Sequence, residues 1–108
     1  MAYATPDLLA VALDVRLTAA NTELLEACLD AAAAEIDHAL DRTDPLDVPA
    51  PELVVRTNVN RGVEWFKAPA TYNGGVGYEE TGVLDAPTSG FERHAAALLP
   101  LKQQWGIG

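Results

Sequence analysis

Positive charge is scarce in this chain, and so are cysteine, histidine and aromatic side chains. Its 108 residues include 7 lysines and arginines against 16 aspartates and glutamates, which gives a net charge of −9. The cations are spread along the chain, so they form no basic patch that could displace counterions from a phosphate backbone. The composition therefore argues against nucleic-acid binding and is typical of an acidic, water-soluble protein.

The single cysteine, Cys28, excludes a disulfide framework within one chain and favours a reducing compartment. The N-terminus lacks the basic and apolar regions of a signal peptide, and no apolar run approaches membrane-spanning length. We therefore expect a protein that stays inside the cell that makes it and has no membrane partner. His38 lies between Glu35 and Arg42 at helical spacing, which favours a solvated or salt-bridged histidine, and His94 has no cysteine or carboxylate at ligand spacing. We therefore expect two surface histidines, no metal centre and no cofactor.

At this length the chain is expected to form one domain, residues 1–108, with a modest core. Hydrophobic residues make up 49% of it, but alanine supplies much of that fraction. A core built largely from alanine is thin. This favours a protein that is completed by oligomerisation or by a partner.

The first predicted helix begins after Thr5-Pro6-Asp7, which supplies a hydroxyl N-cap, a proline in the first turn and an early acid. Two apolar stripes surround it: Leu8, Val11, Ala12 and Val15 form one, and Leu9, Leu13 and Leu17 form the other. A helix that is apolar nearly all round is expected to lie between neighbours.

A long helix predicted from Asn21 to Arg42 is the most informative feature of the chain. At roughly 100° per residue, five acids share one face of it. This carboxylate ladder is Glu23, Glu26, Asp30, Asp37 and Asp41. The opposite face is apolar: Leu25, Cys28, Leu29, Ala32, Ile36 and Leu40. The ladder is either a solvated face or a divalent-cation site, and Cys28 is expected to be a buried structural thiol.

Three prolines exclude regular structure around residues 44–51, and Pro51-Glu52 can open a third helix. Residues 53–67 fit two patterns. A helical stripe runs through Val55, Val59, Val63 and Phe66, whereas Val55, Thr57, Val59, Val63 and Trp65 alternate as in a strand. The length favours a helix, in which Gly62 would mark close contact with another backbone.

Residues 68–90 form a long segment rich in glycine and proline, and Asn73-Gly74-Gly75 is compatible with a short hairpin. Its apolar residues would be poorly sheltered in a monomer: Tyr72, Val76, Tyr78, Val83 and Leu84. The glycines resemble a phosphate loop, but Glu80 stands where a third glycine is needed, so a nucleotide site is not expected.

Ser89 and Glu92 have the spacing of a capping box, which predicts a fourth helix ending near Leu99. Pro100 would end or kink this helix and leave residues 100–108 as an extended tail. Trp105 in that tail is either a lid on the chain's own core or an anchor in a partner. The expected fold is thus mostly α, a small bundle of about four helices with a long Gly/Pro-rich loop and a C-terminal tail.

Three local sequences carry a family resemblance: VEWFKAP at residues 63–69, GGVGY at 74–78 and LLPLKQQWG at 98–106. With the order of a short helix followed by a longer acidic one, the whole chain resembles the head-to-tail connector (adaptor) proteins of long-tailed bacteriophages, especially those infecting actinobacteria. The sequence VVRTNVN at residues 54–60 departs from the Ala/Leu-rich third helix common in that family. How this helix packs is therefore left open.

The resemblance implies a structural subunit of the virion neck, assembled in the host cytoplasm, rather than an enzyme. Such subunits form a ring, commonly twelve-fold, between the portal and a stopper or tail-completion protein, and DNA passes through without specific binding. The resemblance also implies a portal-binding segment: Pro100, Leu101, Lys102, Gln103, Gln104, Trp105, Gly106 and Ile107. In a ring, the apolar residues of the 68–90 loop would contact a neighbouring subunit and the carboxylate ladder would line the lumen.

Three other interpretations remain open at this stage. One is a different neck subunit, such as a stopper or tail terminator, which would be richer in β-structure. Another is a small acidic helical regulator that binds one protein partner as a dimer. The third is an enzyme that uses the carboxylates with Mg²⁺ or Mn²⁺.

Overall fold

Four helices make up most of the part of the chain that the structure describes. This computed structural model covers residues 2–41, 51–68, 87 and 90–104, with side chains described through residue 101. The helices are α1 (Pro6–Leu13), α2 (Ala19–Ala39), α3 (Glu52–Lys67) and α4 (Glu92–Gln104). These described ranges contain no strand, and the predicted mostly α fold is confirmed.

The predicted start of α1 is confirmed by its N-cap. The Thr5 hydroxyl accepts a hydrogen bond from the Leu8 amide at 3.4 Å, and Pro6 opens the helix. The helix ends at Leu13, and the next residue, Asp14, has a left-handed backbone with φ 57°. The amide of Val15 then donates to the Ala10 carbonyl at 3.0 Å, and the Asp14 amide donates to the Val11 carbonyl at 3.1 Å. These two bonds form a Schellman-type end in which aspartate occupies the position that glycine usually takes.

α2 begins two residues before the predicted Asn21 because Thr18 is a strong N-cap. The Asn21 amide donates to the Thr18 hydroxyl at 3.2 Å, and the Thr18 amide donates to Asn21 Oδ1 at 2.9 Å. This reciprocal pair satisfies two amides that would otherwise lack partners. The helix ends at Ala39, short of the predicted Arg42, and Asp41 follows with a left-handed φ of 56°.

The helical alternative for residues 53–67 is correct, since α3 spans Glu52–Lys67. Its buried face, however, is not the predicted apolar stripe, whose valines are only half-buried. The buried positions of α3 are Val54, Thr57, Asn58, Arg61 and Gly62. Polar side chains thus occupy the centre of this interface, and their hydrogen bonds decide which face of α3 points inward.

Two apolar clusters form the core on either side of these polar residues. The cluster on the α1 side is Ala4, Leu9, Ala10, Leu25, Cys28 and Leu29. The cluster on the α4 side is Tyr3, Ala33, Ile36, Leu40, Val54 and Leu98. All six residues of the predicted apolar face of α2 are fully buried, so that prediction is confirmed.

Gly62 brings α3 close to α1 and α2. A Cβ atom at Gly62 would lie 3.2 Å from Leu29 Cδ2 and 3.4 Å from Leu9 Cδ1. The predicted contact with another backbone is therefore wrong, because Gly62 meets two leucine side chains instead. The missing side chain lets these leucines fill the space beside the helix.

α4 starts later and ends later than predicted. Its first residue is Glu92, two residues beyond the start that a capping box on Ser89 implies, and the Phe91 carbonyl accepts the amides of His94 and Ala95 at 2.9 Å. The helix continues through Pro100 to Gln104, so the predicted end near Leu99 is wrong. Pro100 and Ala96 are exposed, so water can satisfy the Ala96 carbonyl that proline leaves without an amide donor.

Within the described part of the chain, no helix is both long enough and apolar enough to cross a membrane.

Candidate functional site

The carboxylate ladder is only partly the continuous face that the sequence predicts. Glu23, Glu26 and Asp30 are exposed on α2. Asp37 is half-buried and accepts a hydrogen bond from the Tyr3 hydroxyl, and Asp41 lies beyond the end of the helix. Glu23, Glu26 and Asp30 therefore form the exposed part of the ladder that lies on the helix, whereas Asp41 is exposed but lies beyond the helix end.

One of the two apolar stripes of α1 is uncovered. Leu9 and Ala10 are buried, whereas Val11 is 78% exposed, Leu8 48% and Val15 37%. The expectation that α1 lies between neighbours is thus wrong within the described residues, since the stripe that contains Leu8 and Val11 faces outward. We call Leu8, Val11, Ala12 and Val15 the α1 stripe.

A buried guanidinium group lies between α2, α3 and α4. Arg61 is 3% exposed, and its Nε and Nη2 each donate to one oxygen of Glu35 at 2.9 Å. Its Nη1 donates to Glu64 Oε1 at 2.6 Å and to the Gly90 carbonyl at 3.4 Å. A two-pronged pair of this kind fixes the relative orientation of the helices that carry it.

Two aromatic residues contact Arg61 or its partner Glu35. The Phe91 ring centroid lies 5.6 Å from Arg61 Cζ, within the range of a cation–π contact. The Trp65 indole Nε1 donates to Glu35 Oε1 at 2.7 Å. Trp65 and Phe66 both pack against the α1-side core cluster. Within the described residues, Trp65 and Phe66 therefore help to close the core.

Glu64 connects this cluster to α4. Besides Arg61, its carboxylate contacts the Arg93 guanidinium and lies 3.0 Å from His94 Nε2. His94 is 8% exposed, and its ring lies against that of Phe91 with 5.4 Å between the ring centroids and an interplanar angle of 41°. The prediction of a surface histidine is therefore wrong for His94, whereas His38 is exposed as predicted. We call Glu35, Arg61, Glu64, Arg93 and His94 the charge cluster.

The charge cluster shifts the pKa values of two of its members. Burial alone would raise the pKa of Glu35, but hydrogen bonds from Arg61 and Trp65 and the charge of Arg61 more than offset it, so this pKa is lowered. Burial lowers the pKa of His94, and the positive charges of Arg93 and Arg61 lower it further. His94 is thus neutral at pH 7, and its Nε2 donates a hydrogen to the carboxylate of Glu64.

A second polar group ties the N-terminal segment to α3. The fully buried Asn58 accepts hydrogen bonds on Oδ1 from the amides of Tyr3 and Ala4, at 2.7 and 2.9 Å. Its Nδ2 donates to the Leu29 carbonyl at 2.9 Å. One side chain thereby joins the N-terminal segment, α2 and α3.

Cys28 and the carboxylates of the charge cluster have structural roles within the described residues. Burial raises the pKa of Cys28 to about 12, so its thiol stays protonated at neutral pH, in agreement with the predicted structural role. Among the described residues, no group of three or more histidine, cysteine or acidic side chains is placed to hold a metal ion. The carboxylates of the charge cluster are occupied by Arg61, Arg93 and Trp65, so they hold helices together.

Two open grooves flank α4. One lies between α2 and α4 and has a volume of about 460 Å³. Its lining includes Ala34, Ala39, Phe91 and Ala95, with His38 and Glu92 among its polar residues. The other, of about 580 Å³, lies between α1, α3 and α4 beside Arg93 and His94. We call the first the α2–α4 groove.

Most of the other predicted functional residues lie outside the described part. This holds for the apolar loop residues Tyr72, Val76, Tyr78, Val83 and Leu84, for the hairpin at 73–75, and for Trp105, Gly106 and Ile107. Residues 100–104 of the predicted portal-binding segment belong to α4, where Pro100 is exposed and Leu101 is half-buried against the core.

Comparison with known proteins adds no relative. No family model matches the chain, and neither does any curated protein or any solved structure.

Proposed function

We propose that the chain is a head-to-tail connector (adaptor) subunit that forms a ring in the neck of a long-tailed bacteriophage. The α1 stripe carries the proposal. It leaves Leu8 48% and Val11 78% exposed on one side of α1, and contiguous exposed apolar side chains are typical of a surface that binds a partner. A ring of identical subunits supplies that partner. The mostly helical fold supports an adaptor over a β-rich stopper or tail terminator.

In this proposal the ring lies between the portal and a stopper or tail-completion protein, and it is twelve-fold as is common in such rings. Residues 100–108 contact the portal, and the 68–90 loop contacts a neighbouring subunit. The resemblance in VEWFKAP, GGVGY and LLPLKQQWG supports this arrangement. The proposed role involves no catalysis and no cofactor.

The exposed acids of α2 support a passage for DNA. Glu23, Glu26 and Asp30 are exposed. Repeated around a ring, such carboxylates repel phosphates, so DNA slides through without being held. A net charge of −9 per chain also weakens non-specific binding to DNA.

The direct test is to image the neck of particles that carry this chain. Electron cryo-microscopy should resolve a ring of this fold below the portal. Particles that lack the chain should be filled heads without tails, and addition of the purified protein should restore tail joining. Normal tailed particles in its absence would exclude the proposal.

The lumen role has a separate test. The triple variant E23Q/E26Q/D30N should assemble normally but eject DNA more slowly, because the wall no longer repels phosphate. Asp37 is left unchanged because it accepts the Tyr3 hydroxyl, so its neutralisation would also disturb the fold. A matched control is D7N, which removes an exposed acid from α1. Ejection at the unaltered rate in the triple variant would remove α2 from the lumen.

A further inference from the structure

We draw no further inference here: the strongest candidate, the uncovered α1 stripe with the open α2–α4 groove, carries none, because nothing in the described part of the chain shows what covers either surface.

Discussion

The α1 end and the α4 end of the bundle are attached to the α2–α3 pair in different ways. α1 is attached by apolar packing around Leu9 and by the hydrogen bonds of Asn58 to the segment before it. α4 is attached by Leu98 and by the charge cluster. The contribution of apolar packing to stability does not depend on pH, whereas that of a cluster with a neutral histidine does. The comparison indicates that α4 is the helix whose attachment solution conditions can weaken.

Replacing Arg61, at the α4 end of the bundle, should lower the free energy of unfolding more than any other change proposed here. R61M leaves the carboxylates of Glu35 and Glu64 without the cation that lies between them, and the loss of one member of a buried ion pair typically costs about 3–5 kcal/mol. The free energy of unfolding, measured by urea denaturation, should fall by that amount.

The control for R61M is R56M on the same helix. Arg56 pairs with Glu52 at 2.8 Å, but the two side chains are 65% and 84% exposed. An exposed pair of this kind contributes less than about 1 kcal/mol. Equal losses in the two variants would show that burial of Arg61 has no energetic consequence.

Replacing Asn58 should cause the second-largest loss of stability, and it should act at the α1 end of the bundle. N58A removes the side-chain oxygen that accepts the amides of Tyr3 and Ala4, at a cost of about 2–4 kcal/mol because buried amides that lose their acceptor are expensive. Hydrogen exchange should accelerate at the amides of Tyr3 and Ala4. N60A, two residues away and exposed, should change neither quantity.

Acidification should weaken the attachment of α4 selectively. Because the pKa of His94 is lowered in the folded chain, the unfolded chain binds more protons just below pH 6.5, and stability falls as the pH drops below that value. The lowered pKa of Glu35 acts in the same direction at lower pH, below about 4.5.

The measurement is the free energy of unfolding between pH 8 and pH 5 for the wild type and for H94Q. The variant should lose the pH dependence that sets in below pH 6.5, because glutamine keeps a hydrogen-bond donor and does not titrate in this range. A parallel loss of stability in H94Q would assign the effect to other groups.

The smallest effect is expected at the end of α1. Asp14 has a left-handed backbone with φ 57°, which glycine adopts without strain. D14G should therefore raise the free energy of unfolding by up to about 1 kcal/mol, since the relief of left-handed strain exceeds the extra entropy that glycine gives the unfolded chain; the change would be visible as a higher melting temperature. The matched change D7G, in the first turn of α1, should lower it, since Asp7 lies in helical backbone.

The elements that the sequence predicts well are those with local causes. Thr5 and Pro6 define the start of α1 by their own chemistry, and the apolar face of α2 follows from its period alone. α3 is different. Its predicted apolar stripe through Val55 and Val59 is half-buried, because hydrogen bonds of Asn58 and Arg61 turn the polar face inward.

The charge cluster could not be predicted because the pairs that join its helices are distant in sequence. Arg61 and Glu35 are separated by 26 residues and His94 and Glu64 by 30, so no local spacing connects them. One signal was present: Val54, Asn58 and Arg61 have the i, i+4, i+7 period of a buried face. The polarity of Asn58 and Arg61 concealed this period, since polar residues are normally assigned to the solvent side of a helix. Pro100 led to a different error, since it predicted a helix end that the structure does not have. A proline does not end a helix where water can satisfy the carbonyl that loses its amide donor.

The hydrogen bond from Trp65 to Glu35 makes this tryptophan an optical reporter. The chain has only two tryptophans, so W105F would leave Trp65 as the sole indole emitter. Its fluorescence wavelength would then respond to water reaching the carboxylate beneath it. Detachment of α4 could be followed by light in real time, with no added dye or label.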